Sequence, residues 1–68
     1  MEELRINNQR QTIQGVPIAN KQLFLNIRTV VEAEHLEGWN PTQDNIRDLI
    51  KAGNDYKAIA EVRKRLEK

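Results

Sequence analysis

Two glutamates close to the end of an apparent helix are the side chains best suited to chemistry in this sequence. Glu34 and Glu37 flank the only histidine, His35, and Gly38 follows directly after the second of them. A carboxylate that leaves water needs a positively charged partner. A negative charge near a helix C-terminus also opposes the helix dipole, so Glu37 is locally unfavourable unless another contact compensates it. Helical spacing alone does not choose between the two glutamates.

The other side chains lack the combinations that enzymes and metal centres need. The sequence contains one histidine and no cysteine, and it shows no glycine-rich loop for binding phosphate. Disulfides and thiolate metal sites are therefore excluded, and His35 has no evident partners for metal binding or proton transfer. We expect a protein that is not an enzyme and that needs no cofactor or metal ion.

The length and the charge balance limit the fold and the partners. The 68 residues form at most one small domain with a thin core, and such a chain gains stability by binding a partner. Eleven basic and ten acidic residues give a net charge of +1, whereas nucleic-acid-binding domains usually carry a marked basic surplus. The apolar runs are far shorter than the roughly 20 residues that cross a bilayer, and no signal segment follows the N-terminus. We therefore expect a cytoplasmic protein without membrane contact, and nucleic acid is a disfavoured partner.

A first helix is predicted between Asn20 and Gly38. Asn20 can act as the N-cap, and Gly38 suits the left-handed geometry found at helix ends. Leu25 and Leu36 fall on roughly the opposite side of this helix from its main apolar face. This second apolar side indicates that the helix packs on the rest of the chain with one side and contacts a different protein with the other. The main apolar face consists of Leu23, Phe24, Ile27, Val30 and Val31.

Two further helices are predicted in the rest of the chain. Asn40 can cap the second helix, or Thr42 can cap it in a competing register, and Gly53 ends it. Either Asn54 or Asp55 caps the third helix, in which apolar residues recur at helical spacing. No β pattern competes with these helices.

The N-terminal part of the sequence differs from the helical part. It is rich in Asn and Gln, and its apolar residues show no sustained helical period. We predict that residues 1–19 form a flexible or partner-ordered arm, with a plain disordered tail as the alternative. Residues 20–68 are expected to form a three-helix domain. The expected fold class is therefore all-α, a small three-helix domain with an irregular N-terminal arm.

The second half of the chain resembles the VbhA-type antitoxins, which inhibit Fic-domain toxins. The resemblance lies in residues 33–66, AEHLEGWNPTQDNIRDLIKAGNDYKAIAEVRKRL. It covers a helix end with a Glu-Gly pair, a Pro-Thr helix start, a turn that contains glycine and a closing amphipathic helix. The family's inhibitory motif has Ser or Thr, three variable residues, Glu, and then Gly or Asn. Glu37 and Gly38 match the end of this motif, whereas Ala33 stands where a hydroxyl residue is expected.

The resemblance implies a partner and a mechanism. Toxins of this family are adenylyltransferases, which move AMP from ATP onto a hydroxyl of a target protein. Glu37 would pair with the toxin arginine that otherwise holds the γ-phosphate of ATP, in a heterodimer or a higher complex. Trp39 is expected to pack back onto the second or third helix, with a role in the interface as the alternative. The residues expected to contact the toxin are Leu25, Thr29, Leu36 and Trp39.

Two other functions fit parts of the sequence. The second and third helices could form a DNA-binding helix-turn-helix around Gly53, but Asn54 follows the glycine where an apolar residue is usual. The basic residues of the third helix also concentrate at its C-terminal end, whereas base-reading residues cluster at the N-terminal end of a recognition helix. A helical adaptor that docks its apolar faces on another protein is the second alternative, and it gives Glu37 no special role.

Overall fold

The described part of the chain folds as a small sheet followed by three helices. The computed structural model describes residues 3–67. Its elements are β1 (Ile6–Asn7), β2 (Thr12–Ile13), β3 (Val16–Pro17), α1 (Lys21–His35), α2 (Gln43–Lys51) and α3 (Tyr56–Leu66). Within residues 3–67, no helix combines the length and the apolar character that crossing a membrane requires.

The three strands form an antiparallel sheet in the order β1-β2-β3. Ile13 pairs with Ile6 on one side and with Val16 on the other, which defines the register of both hairpins. The β2–β3 turn consists of Gln14 and Gly15, whose φ angles of 53° and 80° are both positive, as a tight two-residue hairpin turn favours. The prediction of an all-α fold with an irregular N-terminal arm is therefore wrong.

The sheet was missed because its strands are very short. Each strand has two residues, which is too few to show the alternation of apolar and polar positions that marks a half-buried strand. The sheet depends instead on packing against the helices. Ile13, Val16 and Ile18 are all buried in the core that the helices share.

One hydrophobic core joins the sheet to the helices. Its buried side chains come from β2, β3, the segment after β3 and all three helices. They are Ile13, Val16, Ile18, Phe24, Ile27, Val30, Val31, Ile46, Leu49 and Ile59. The predicted division of the chain into residues 1–19 and 20–68 stays a prediction, and residues 1, 2 and 68 lie outside the described part.

The helices begin at residues that cap them. The prediction of Asn20 as the first cap is confirmed, because its side-chain oxygen accepts the N–H of Leu23 at 2.9 Å. The second helix uses the competing register. Thr42 is its cap, and Thr42 and Asn45 bond each other's backbone N–H groups at 3.0 and 3.2 Å in a reciprocal capping box. Asp55, one of the two residues predicted for this role, caps the third helix.

Candidate functional site

The chain leaves α1 through a turn that is closed by backbone hydrogen bonds. Gly38 has a φ of +102°, and its N–H donates to the carbonyl of His35 at 3.0 Å. The N–H of Trp39 donates to the carbonyl of Glu34 at 3.1 Å. Two such bonds around a left-handed glycine form a Schellman motif, which satisfies carbonyls that a helix end leaves without partners. The backbone at Glu37 is therefore held in a defined conformation.

Trp39 anchors the outgoing side of this turn. Its side chain is half-buried and packs against the core. Its carbonyl oxygen lies 3.0 Å from Nδ1 of His35. Because a carbonyl oxygen only accepts, this hydrogen bond needs the imidazole proton on Nδ1. Trp39 thus packs back onto the chain, while its contact with a partner stays a prediction.

The two candidate glutamates lie in different electrostatic surroundings. Glu34 is half-buried, and one of its carboxylate oxygens lies 3.0 Å from the guanidinium of Arg63 on α3. Glu37 is exposed, and no ion pair or hydrogen bond to its carboxylate is found within residues 3–67. The charge of Glu34 is therefore neutralised inside the molecule, whereas that of Glu37 faces solvent. Helical spacing does not distinguish the two glutamates, whereas the contact from α3 pairs Glu34, and not Glu37, with a cation of the same chain.

Arg63 lies between two carboxylates. Besides contacting Glu34, its guanidinium donates a hydrogen bond of 2.6 Å to Glu67. This hydrogen bond raises the pKa of Arg63 above its ordinary value; partial burial opposes the increase, and the charge of Glu34 adds to it. A cation with a raised pKa keeps its stabilising effect below its unfolded pKa and loses it only as the pH rises through the folded value. Arg63 therefore stays charged throughout the neutral range.

The residues predicted to contact a partner differ in their exposure. Leu36, which precedes Glu37 in the chain, is 85% exposed, and Ala33 of the predicted inhibitory motif is also exposed. Thr29 is exposed too, but its hydroxyl donates to the Leu25 carbonyl within α1 at 2.9 Å. Leu25 is half-buried and packs against the core, so only part of its side chain is accessible. Leu36 and Thr29 are therefore exposed and Leu25 only partly so, and the contact of these residues with a partner stays a prediction.

One residue that supports the site, Gln14, was not predicted. Its side chain is 2% exposed; its Oε1 accepts the N–H of Arg5 at 2.9 Å, and its Nε2 donates to the carbonyl of Pro41 at 2.7 Å. The side chain of Gln43 donates in turn to the Gln14 carbonyl at 2.9 Å. The sheet is thereby fastened to the linker between α1 and α2, just beyond the Glu37 turn. The sequence does contain one signal for this turn: Gln14 and Gly15 stand between the apolar residues Ile13 and Val16, a pattern that favours a hairpin turn.

The chemistry that this geometry supports is recognition of a cation. An exposed carboxylate on an ordered turn can bind a guanidinium or an ammonium group of another molecule. Among residues 3–67, no group of three or more histidine, cysteine, aspartate or glutamate side chains comes together to hold a metal ion. No protein-family model, curated protein or solved structure matches this chain.

Proposed function

We propose that this chain is a cytoplasmic antitoxin that binds a Fic-domain adenylyltransferase and inhibits its transfer of AMP. The resemblance of residues 33–66 to VbhA-type antitoxins supports the proposal. The observation that carries it is the exposed carboxylate of Glu37 on the ordered turn that ends α1. Glu34, the other candidate, is unsuited to this role because Arg63 already neutralises it.

Glu37 would inhibit by taking the place of a phosphate group. A carboxylate and a phosphate compete for the same guanidinium, because each pairs with its fork of N–H donors. With the toxin arginine occupied, ATP binds with its phosphates misplaced, and AMP transfer slows because such reactions depend on positioning and on charge stabilisation. The inhibited toxin can therefore still bind nucleotide while the transfer of AMP is suppressed.

The exposed residues around Glu37 supply contacts with the toxin. Leu36, which precedes Glu37 in the chain, has an apolar side chain that is 85% exposed. Within residues 3–67, and apart from Gly38 and its two neighbours in the chain, no atom lies within 4 Å of the position that a β-carbon would take at Gly38, so a partner can approach the turn closely. Ala33, one helical turn earlier, lacks the motif hydroxyl, and inhibition therefore depends more heavily on Glu37 itself. The remaining proposed contacts are Leu25, Thr29 and Trp39.

Replacing Glu37 with glutamine tests the mechanism, because this change removes the charge and keeps the size of the side chain. We expect Glu37→Gln to stay bound to the toxin while auto-adenylylation rises roughly 10- to 100-fold, since a charge-assisted bidentate pair is lost. Glu61→Gln, at an exposed position of α3, is the matched control and should inhibit as the wild type does. The measurement is incorporation of labelled AMP by the purified complex. Inhibition by Glu37→Gln that equals that of the wild type would contradict the mechanism.

The two alternative functions predict different results. A helical adaptor assigns no role to Glu37, so the glutamine variant would leave every partner activity unchanged. A DNA-binding protein would retard duplex DNA on a gel, and more strongly at low salt than at moderate salt. The pairing of Arg63 with Glu34 and Glu67 weakens the DNA alternative, because it reduces the positive charge that α3 offers to phosphates.

A further inference from the structure

We propose that Arg63, although it lies on α3, positions the turn that presents Glu37. The inference rests on the proposed function, because it concerns how the inhibitory carboxylate is held. Arg63 acts through Glu34, which it contacts from α3 at the C-terminal end of α1. Its role is therefore that of a positioning residue.

Glu34 connects this side-chain contact to the backbone of the turn. Its carbonyl accepts two N–H groups, that of Glu37 at 3.0 Å and that of Trp39 at 3.1 Å. Its carboxylate lies 3.0 Å from Nη1 of Arg63. Glu34 thus accepts two of the three backbone hydrogen bonds of the turn, those of Glu37 and Trp39, and it is also the residue that α3 holds. Losing the arginine would loosen the helix end from which the turn is built.

Because this ion pair is partly buried, its loss destabilises the helix end more than the loss of a fully exposed ion pair would. The side chains of Arg63 and Glu34 are only 18% and 24% exposed. Charges that are largely removed from water are screened less, and a carboxylate left there without its cation is destabilised. Without Arg63, the carboxylates of Glu34 and Glu67 would repel each other across the vacated position. The end of α1 would relax to return Glu34 to water, and Glu37 would lose its fixed orientation.

Arg63→Met tests this role, because methionine keeps an unbranched apolar stem and removes the charge. Arg65→Met, at an exposed position of the same helix, is the matched control. In the free protein, we expect the amide hydrogens of Glu37 and Trp39 to exchange about tenfold faster in Arg63→Met than in the wild type, with the amide of Ile27 in the core as the reference. A tenfold change is the lower end of what the loss of one hydrogen bond to a charged group produces. The control should leave these rates unchanged. Unaltered exchange at both turn amides in Arg63→Met would overturn the proposal.

Inhibition of the toxin provides the second readout. We expect Arg63→Met to inhibit AMP transfer about tenfold less effectively than Arg65→Met while it remains bound. If Glu37→Gln inhibits as well as the wild type, the proposed function fails, whereas the exchange rates still decide whether Arg63 holds the turn. The two failures are therefore distinguishable.

An exchange of charges keeps the test decisive if Arg63→Met does not fold. In the double variant Glu34→Arg/Arg63→Glu, one guanidinium again lies between two carboxylates, those at positions 63 and 67. Exchange rates and inhibition within about threefold of the wild type support the positioning role, since a restored interaction cancels the effects of the single changes. A folded double variant that fails to restore them refutes it.

Discussion

Gly38 adopts a φ of +102°, a left-handed conformation that residues with a β-carbon rarely occupy. Apart from Gly38 and its two neighbours in the chain, no atom of the described residues lies within 4 Å of the place where its β-carbon would stand. A side chain here therefore costs conformational energy without meeting a steric clash inside the chain. Gly53, beyond the end of α2, shares both properties, with a φ of +96°. The proposed function separates the two glycines, because it places only Gly38 at the contact with the toxin.

We expect Gly38→Ala and Gly53→Ala each to lower the free energy of unfolding by about 1–2 kcal/mol, the cost of a left-handed alanine. Urea denaturation measures this loss. Gly38→Ala should in addition weaken the inhibition of AMP transfer, because its methyl group enters the space that the toxin would fill. If the two alanine variants inhibited equally well, the proposed contact of Gly38 with the toxin would be contradicted.

Among the elements, the sheet and the helical part are linked by Gln14. Its buried side chain bonds the N–H of Arg5, which precedes β1, and the carbonyl of Pro41, which precedes α2. Gln14 also holds a φ of 53°, which is costly for a residue other than glycine. The hydrogen bonds offset this strain, because buried backbone groups without partners are more costly still.

Gln14→Leu should lower the free energy of unfolding by about 2–3 kcal/mol, since it strands a buried carbonyl and an N–H group. Gln9→Leu, at an exposed position between β1 and β2, is the control and should change stability by less than about 0.5 kcal/mol. Thermal unfolding followed by circular dichroism measures both changes. Equal stabilities of the two variants would show that the buried network contributes little.

The helices could be predicted because each carries local signals along its own length. Asn20 begins α1 with a cap, and Gly53 follows α2 with the left-handed φ expected at a helix end. The sheet could not be predicted in this way, because its two-residue strands depend on packing contacts with distant helices. The difference in surroundings between Glu34 and Glu37 could not be predicted for the same reason. This difference depends on the contact of Glu34 with Arg63 on α3, and spacing within one helix carries no information about a residue on another helix.

At the scale of the whole molecule, the sheet and the segment directly after it supply a large part of a very small core. The Cα radius of gyration is 10.6 Å, and the principal extents are 27 × 25 × 18 Å. Ile13, Val16 and Ile18 are three of the ten hydrophobic side chains that are buried within residues 3–67. Burying an aliphatic side chain contributes about 1.5–3 kcal/mol. The burial of all three therefore contributes about as much free energy as the entire net stability of so small a domain, which is about 5 kcal/mol.

Removing residues 1–19 should abolish cooperative folding of the remaining chain. We expect the fragment 20–68 to show no sigmoidal thermal transition by circular dichroism at 222 nm, because its helices lose the side chains that cover their shared core. The full chain is the control. A cooperative transition of the fragment close to that of the full chain would instead establish residues 20–68 as an independent domain.

The ion pair between Glu34 and Arg63 also has a consequence for biosynthesis. It joins the end of α1 to a residue on α3, which the ribosome adds only after α2 is complete. For that interval a nascent chain carries Glu34 without its cation, at the base of the turn that bears Glu37. If the proposed roles hold, full inhibition of the toxin requires that α3 has left the exit tunnel, so the inhibitor reaches its full effect only late in its own synthesis.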